Sequence, residues 1–525
     1  MGRRGLVSVF FWRAAALQPG ARYQPAERMG SHPFRRLVLP WADACPAGAI
    51  GAFPSDEETN DAIRNRRTNR VSTEIRMLST TAILGYGFPE ASLKAGMDRH
   101  PHVIGADGGS VDPGPHYLGS GKPFCSPIAI RRDLRLMLNA AVRAGIPLMI
   151  GTCGGAGGAP HLDLVAGMAR DIARQDGLHF KMATIDAEQD KDSVKRRVAA
   201  SRVKPLARQP ALTDETIGRS ARIVGMMGPE PFIAALEAGA QVVLAGRTSD
   251  PAPWAAAAMR AGLPPAPAWY AGKMLECGAT PSVPKGHDCL MVTVRDDHVE
   301  CEPTNPVRHC TPLSVANHSL HENSSPVHHI EPGGMLDTSD CRFDAVSDRA
   351  VRISGMRWNP AAQYTVKLEG VELAGYRSIC VCGTRDPLLI GRLDDFIDSV
   401  RNEVAAKAAA FGAGPGSYQL GIRIYGRDGV MAGREPVRDA ASHELGFVLE
   451  VVSAHSQDMA SAVLGMARTN MLHTDFPGRL CREGNMAFPF SPSDIEVGPV
   501  YRFSIYHVAE LDDPLEPFPI HYETL

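Results

Sequence analysis

From Leu78 onward the chain alternates short apolar runs with stretches of helical spacing, joined by glycine-rich turns. "TTAILGYGFPEASLKAGM" reads as a strand, a glycine turn and a helix opening at Pro89. "HVIGADGGSVDPGP" is a second strand that ends in an acidic, glycine-rich loop, and "RRDLRLMLNAAVRAG" carries apolar residues at helical spacing. The rhythm continues through "IPLMIG", "HLDLVAGMARDIARQDG", "LHFKMATIDAEQD", "PEPFIAALEAG" and "AQVVLAGRTSD". Strands alternating with helices of this length predict βαβ units, hence an α/β fold with a mostly parallel sheet and flanking helices. That architecture also places ligands, because they bind outside the carboxyl ends of the strands.

Beyond about Pro284 the pattern turns to period two, as in "HDCLMVTVRDDHVECEP" and "AQYTVKLEGVELAGYRSICVCGT", which predicts a β-rich section. Residues 387–411 return to helix, and "GAGPGS" at 412–417 reads as a linker. The remainder, strand, strand, helix, strand, is expected to form a small α+β, ferredoxin-like domain at 412–525 behind a core domain at 77–411. Residues 1–76 are rich in arginine and proline and show little periodicity. They read as a disordered extension, or as translated sequence upstream of a start at Met77.

The formal net charge of −3 gives no global field for nucleic acid or an anionic membrane, and no apolar run has the length of a membrane helix. Eleven cysteines without a Cys-x-x-Cys pair fit reduced thiols and a cytoplasmic setting. The expected partner is a small anionic molecule, with a homo-oligomer or a partner subunit as a further possibility.

Four strand-end loops carry chemistry. The first holds Asp107, Asp112 and His116. The second holds Gly151, Thr152, Cys153, Gly154, Gly155, Gly157, Gly158 and His161. The third holds Asp186, Glu188, Asp190 and Asp192, and the fourth Arg247, Thr248, Ser249 and Asp250. On a parallel sheet these groups converge on one edge. Arg247 can hold a carboxylate or phosphate bidentately. Asp107, Asp112 and Asp250 can act as general acid and base or bind a divalent ion. The glycine loop, with Thr152 and His161, offers backbone N–H groups at a helix N-terminus, an anion cradle. Its spacing matches neither Gly-x-Gly-x-x-Gly nor a P-loop, so tight turning is the competing role.

Asp250 before Pro251 is equally suited to cap a helix. Lys273 and Glu276 in "KMLECGA" share a helical face, either as a surface ion pair or with Glu276 carried to the same edge. His318 and His321 are spaced to share a helical face, with Glu322 next, but the histidines at 309–329 lack His-Glu-x-x-His spacing and read as ordinary polar helix and loop residues, with metal binding as the alternative. Cys153 reads as a small buried thiol. No cofactor is identified, and a divalent metal ion is left open.

The stretches "ILGYGFPEASL", "GADGGSVDPGPHYLGSG", "GGAGGAPHL", "RIVGMMGPEPFIAALEAGAQVVLAGRTSDPA", "KMLECGA", "YTVKLEGVELAGYRSI", "IYGRDGVM" and "PFSPSDIEVGPVYRFSIYH" resemble the acyclic terpene utilisation AtuA family over about residues 77–520. The resemblance implies a place in the catabolism of acyclic terpenes, whose intermediates are branched acyl-CoA thioesters, and carries no assigned active site. Together with the loops it leads to an expected enzyme of carboxylic-acid or acyl-CoA catabolism with hydratase- or lyase-type chemistry. In that reading Asp107, Asp112, Arg247, Asp250 and Glu276 are catalytic and the glycine loop with His161 binds the anion. The alternative is a non-catalytic ligand-binding or assembly subunit.

Overall fold

The computed structural model describes residues 74–414, 416–437, 442–481 and 485–525. The expectation of disorder for residues 1–76 therefore falls almost wholly outside the described residues. Its last two members do not fit it, since Ile75 and Arg76 open the first strand, β1 (Ile75–Ser79). The apolar run "TTAIL" expected to form that strand is instead a loop, and the glycine turn that follows it closes on the carboxylate of Asp133. Asp133 Oδ2 accepts from the N–H groups of Gly85 at 3.0 Å and Gly87 at 2.9 Å.

Further strands follow: β2 (Val103–Asp107), β3 (Leu148–Gly151), β4 (Lys181–Ile185), β5 (Val203–Pro205), β6 (Ser220–Met226) and β7 (Val242–Ala245). Five of them, in the order β1-β2-β3-β7-β4, form the parallel centre of a ten-stranded sheet. Antiparallel strands extend it on both sides: Leu290–Val294 beside β1 and Ile520–Thr524 beside β4. The predicted α/β class with flanking helices is the observed one.

The central strands are apolar on both faces because helices cover both. Met77, Val103, Met149, Ala183 and Val243 enter one core with Trp254, Trp269 and Phe232. Their neighbours Leu78, Ile104, Ile150, Met182 and Val242 enter the other, beneath the helices Pro127–Ala144 and Ala159–Asp176. The predicted β-rich section is present as the antiparallel extension of this sheet and a separate three-stranded sheet.

A second, antiparallel sheet is built on two long strands, Tyr364–Thr384 and Asp494–Leu511. The succession there is strand, helix (Leu393–Ala410), strand (Tyr418–Tyr425), strand (Leu445–Ser453), helix (Gln457–His473), strand. Its central strand, Tyr364–Thr384, precedes residue 412, and it also pairs with β6 at Lys367–Glu372. That pairing brings the second sheet to the carboxyl edge of the first.

Candidate active site

The carboxyl ends of β2, β3 and β7 meet in one place, as their parallel register requires. β2 ends on Asp107, and the turn after β7 carries Arg247 to Asp250. The glycine loop after β3 lies between them and is buried from Gly151 to Gly158. Its glycines are demanded by packing. A Cβ on Gly157, whose φ is +66°, would stand 2.4 Å from the Arg247 nitrogen. Loop and turn also lock through hydrogen bonds: Thr152 N–H donates to Gly246 O at 2.9 Å, Arg247 N–H to Gly157 O at 3.0 Å, and Thr248 N–H to Thr152 Oγ1 at 3.2 Å.

The helix terminus behind this loop has a partner from within the chain. Ala159 N–H donates to Glu188 Oε2 at 2.9 Å, and Glu188 pairs with Arg222 at 2.9 Å. A carboxylate of the protein thus stands where an outside anion was expected. His161 is fully buried, with Nε2 against Lys122 O at 3.0 Å, and burial lowers its pKa. Cys153 is a buried thiol whose pKa burial raises. Of the third loop, Asp190 caps the following helix by accepting from Ser193 N–H at 2.8 Å, and Asp186 faces His521 at 3.3 Å.

Arg247 is 4% exposed. Its Nε donates to Glu369 Oε2 at 2.8 Å and its Nη1 to Asp250 Oδ1 at 3.1 Å. Glu369, on the strand that crosses from the second sheet, also holds Lys367 at 2.7 Å. The guanidinium is therefore matched from inside the protein. Asp250 does not cap the helix Ala252–Arg260, whose N-cap position is Pro251 without a side-chain bond. Its carboxylate turns to Arg247 instead, in a charge-assisted hydrogen bond.

Around this pair the titratable groups are crowded and dry. Asp107 is buried, and its Oδ1 has no hydrogen-bond partner. Burial first, and then the charge of Asp250, hold its pKa well above the usual carboxylate range. Asp250 is also raised by burial, with Arg247 opposing. Glu276 ends the helix Pro265–Leu275 and accepts from Lys273 Nζ at 2.6 Å. The Lys273–Glu276 pair is thus buried, which excludes the surface-pair alternative. Burial pushes Glu276 up to about 7 against the pull of Lys273. Asp112 is exposed and bonds Ser110 Oγ at 2.8 Å, close enough for its charge to act on Arg247 and Asp250.

Two groups in the cluster were not singled out from the sequence. Glu331, from the strand His328–Glu331, accepts from Ser249 Oγ, and burial pushes it up to about 8. Glu369 is the other. Neither has a local signal: Glu331 follows the histidine-rich segment that reads as polar helix and loop, and Glu369 sits in a stretch that reads only as a strand. The His318 and His321 rings stack at 5.6 Å, but the helix ends at Ser319 and His321 lies beyond it.

Among the described residues no helix is long and apolar enough to cross a membrane. Residues 130–282 match the family model described as acyclic terpene utilisation family protein AtuA, the family the sequence resembles. The matched segment contains the glycine loop, Arg247, Asp250, Lys273 and Glu276. No curated protein and no solved structure matches the chain.

Proposed function

We propose that this chain, with its AtuA family domain at residues 130–282, is an enzyme of acyclic terpene utilisation acting on a carboxylic acid or acyl-CoA thioester. The reaction class is addition or removal of water by proton transfer, with Asp107 as acid and Asp250 as base. The two carboxyls lie in unlike surroundings, as an acid and a base must. Asp250 touches a guanidinium that favours its charged form, whereas Asp107 has no cation in contact and feels the charge of Asp250. Asp107 therefore keeps its proton the longer. Arg247 positions Asp250, and Glu369 positions Arg247.

The observation that carries this reading is the partnerless, buried Asp107 Oδ1 at the end of β2. A buried polar atom without a partner costs stability, and a reacting substrate atom would supply the missing contact. The test is turnover of branched unsaturated CoA thioesters and their free acids by the full chain. Asp107→Asn is expected to lower kcat by roughly 10²–10⁴-fold while the circular dichroism spectrum is kept. Retention of turnover by that variant removes Asp107 from the mechanism.

A second reading, a non-catalytic assembly subunit, draws on the exposed apolar side chains of the long strands: Leu373, Val497 and Phe503. It predicts no turnover on any of these substrates and a stable complex with another chain or copy.

A further inference from the structure

The helix that ends on Glu276 is followed at once by Cys277, and the helix Pro312–Ser319 brings His318 against them. One carboxylate oxygen, the Cys277 sulfur and one ring nitrogen of His318 all lie within 4.8 Å of one another. We propose that Glu276, Cys277 and His318 bind a transition-metal ion of the zinc class. The inference rests on the reading of this cluster as the reactive site, and adds to it an ion beside Asp250.

The donor set argues for the metal. Oxygen, sulfur and nitrogen together suit zinc, whereas calcium and magnesium take oxygen alone. Three protein ligands leave a fourth position for water or substrate, the pattern of a catalytic zinc site. Glu276 is 4% and His318 3% exposed, so these two ligands are already out of water, while Cys277 is half-buried. The His318 Nε2 lies 3.1 Å from the Lys273 carbonyl oxygen, which can only accept. That nitrogen therefore donates, and the other carries the lone pair. A backbone carbonyl orienting the ring in this way is the usual outer partner of a metal-binding histidine.

The charges facing the site must also balance. Lys273 Nζ occupies Glu276 Oε1 at 2.6 Å and the His321 carbonyl at 2.8 Å, and leaves the second carboxylate oxygen free of it. The carboxyls of Glu276, Glu322, Asp250 and Glu331 are within electrostatic reach of one another. Their cations are Lys273 on Glu276, Arg247 on Asp250 and His321 on Glu322, so four carboxyls face two permanent cations and the site can take a further positive charge. On binding, Cys277 releases its thiol proton to solvent, so affinity rises with pH. The ion can then act as a Lewis acid or hold an activated water.

The test is a titration of the chelator-treated full chain with Co²⁺, followed by thiolate-to-cobalt charge-transfer absorption in the near ultraviolet and then by displacement with Zn²⁺. One equivalent is expected, with the band lost in Cys277→Ser and kept in Cys125→Ser. Glu276→Gln and His318→Gln should each weaken binding by at least about tenfold. If His318→Gln does not fold, Cys277→Ser decides the matter, because it changes only one sulfur. No band in the wild-type chain, or a band that survives Cys277→Ser, overturns the proposal. The readout is independent of turnover, so its failure leaves the Asp107–Asp250 reading standing, and the Asp107→Asn assay judges that reading alone.

Discussion

Arg247 holds its charge inside the protein, between Glu369 at 2.8 Å and Asp250 at 3.1 Å. Removing one partner of such a pair strands the other in a dry place. Arg247→Ala and Glu369→Ala are each expected to cost about 3–5 kcal/mol in denaturant unfolding. A loss below about 1 kcal/mol would mean that water reaches the pair. Arg247 was legible in the sequence because a cation directly after a buried strand demands an explanation. Glu369 was not, because its partner lies 122 residues away and nothing local marks it. Glu331 makes a different prediction. Its folded pKa of about 8 lies above the ordinary value of 4.5 for an exposed glutamate, so between these values the folded state binds the extra proton. Stability must therefore fall as pH rises through that window, and Glu331→Gln should flatten the fall. An unchanged pH slope of the melting temperature in the variant would show that Glu331 is ionised in the fold.

At the scale of elements the glycine loop is a joint. Gly157 has a positive φ, and a Cβ there would collide with the Arg247 backbone nitrogen at 2.4 Å. Gly157→Ala is expected to cost about 1–2 kcal/mol from the backbone alone and more from the displaced turn, with kcat falling alongside stability. Activity unchanged in that variant would separate the loop from the site. The alternation of strand and helix was readable throughout this region, because parallel strands buried on both faces need long apolar runs. The first strand was misplaced. "TTAIL" is as apolar as "IRMLS", but only the latter forms the ladder with β2, and Asp133 holds the glycine turn after the former. Periodicity cannot rank two neighbouring runs when the choice is made by a pairing partner elsewhere in the chain.

At the scale of the molecule, the division at 411/412 follows a glycine-rich link, whereas the second sheet runs across it. Residues 412–525 expressed alone lack Tyr364–Thr384, the strand between Leu445–Ser453 and Asp494–Leu511. That fragment is expected to show no cooperative thermal transition, and a sharp one would show that its core suffices. Extending it to residue 360 should restore the transition. The same strand bears on how the chain reaches its native state. Its ladder pairs Tyr364 with Leu511 and Lys367 with Met226, partners far apart in sequence in both directions. Contacts of such long range are slow to form, since the chain must close large loops before they stabilise anything. Until that strand docks, Arg247 remains hydrated and Glu369 is elsewhere. The charge centre of the site is thus a late product of folding, and refolding chains should regain helix before they regain function.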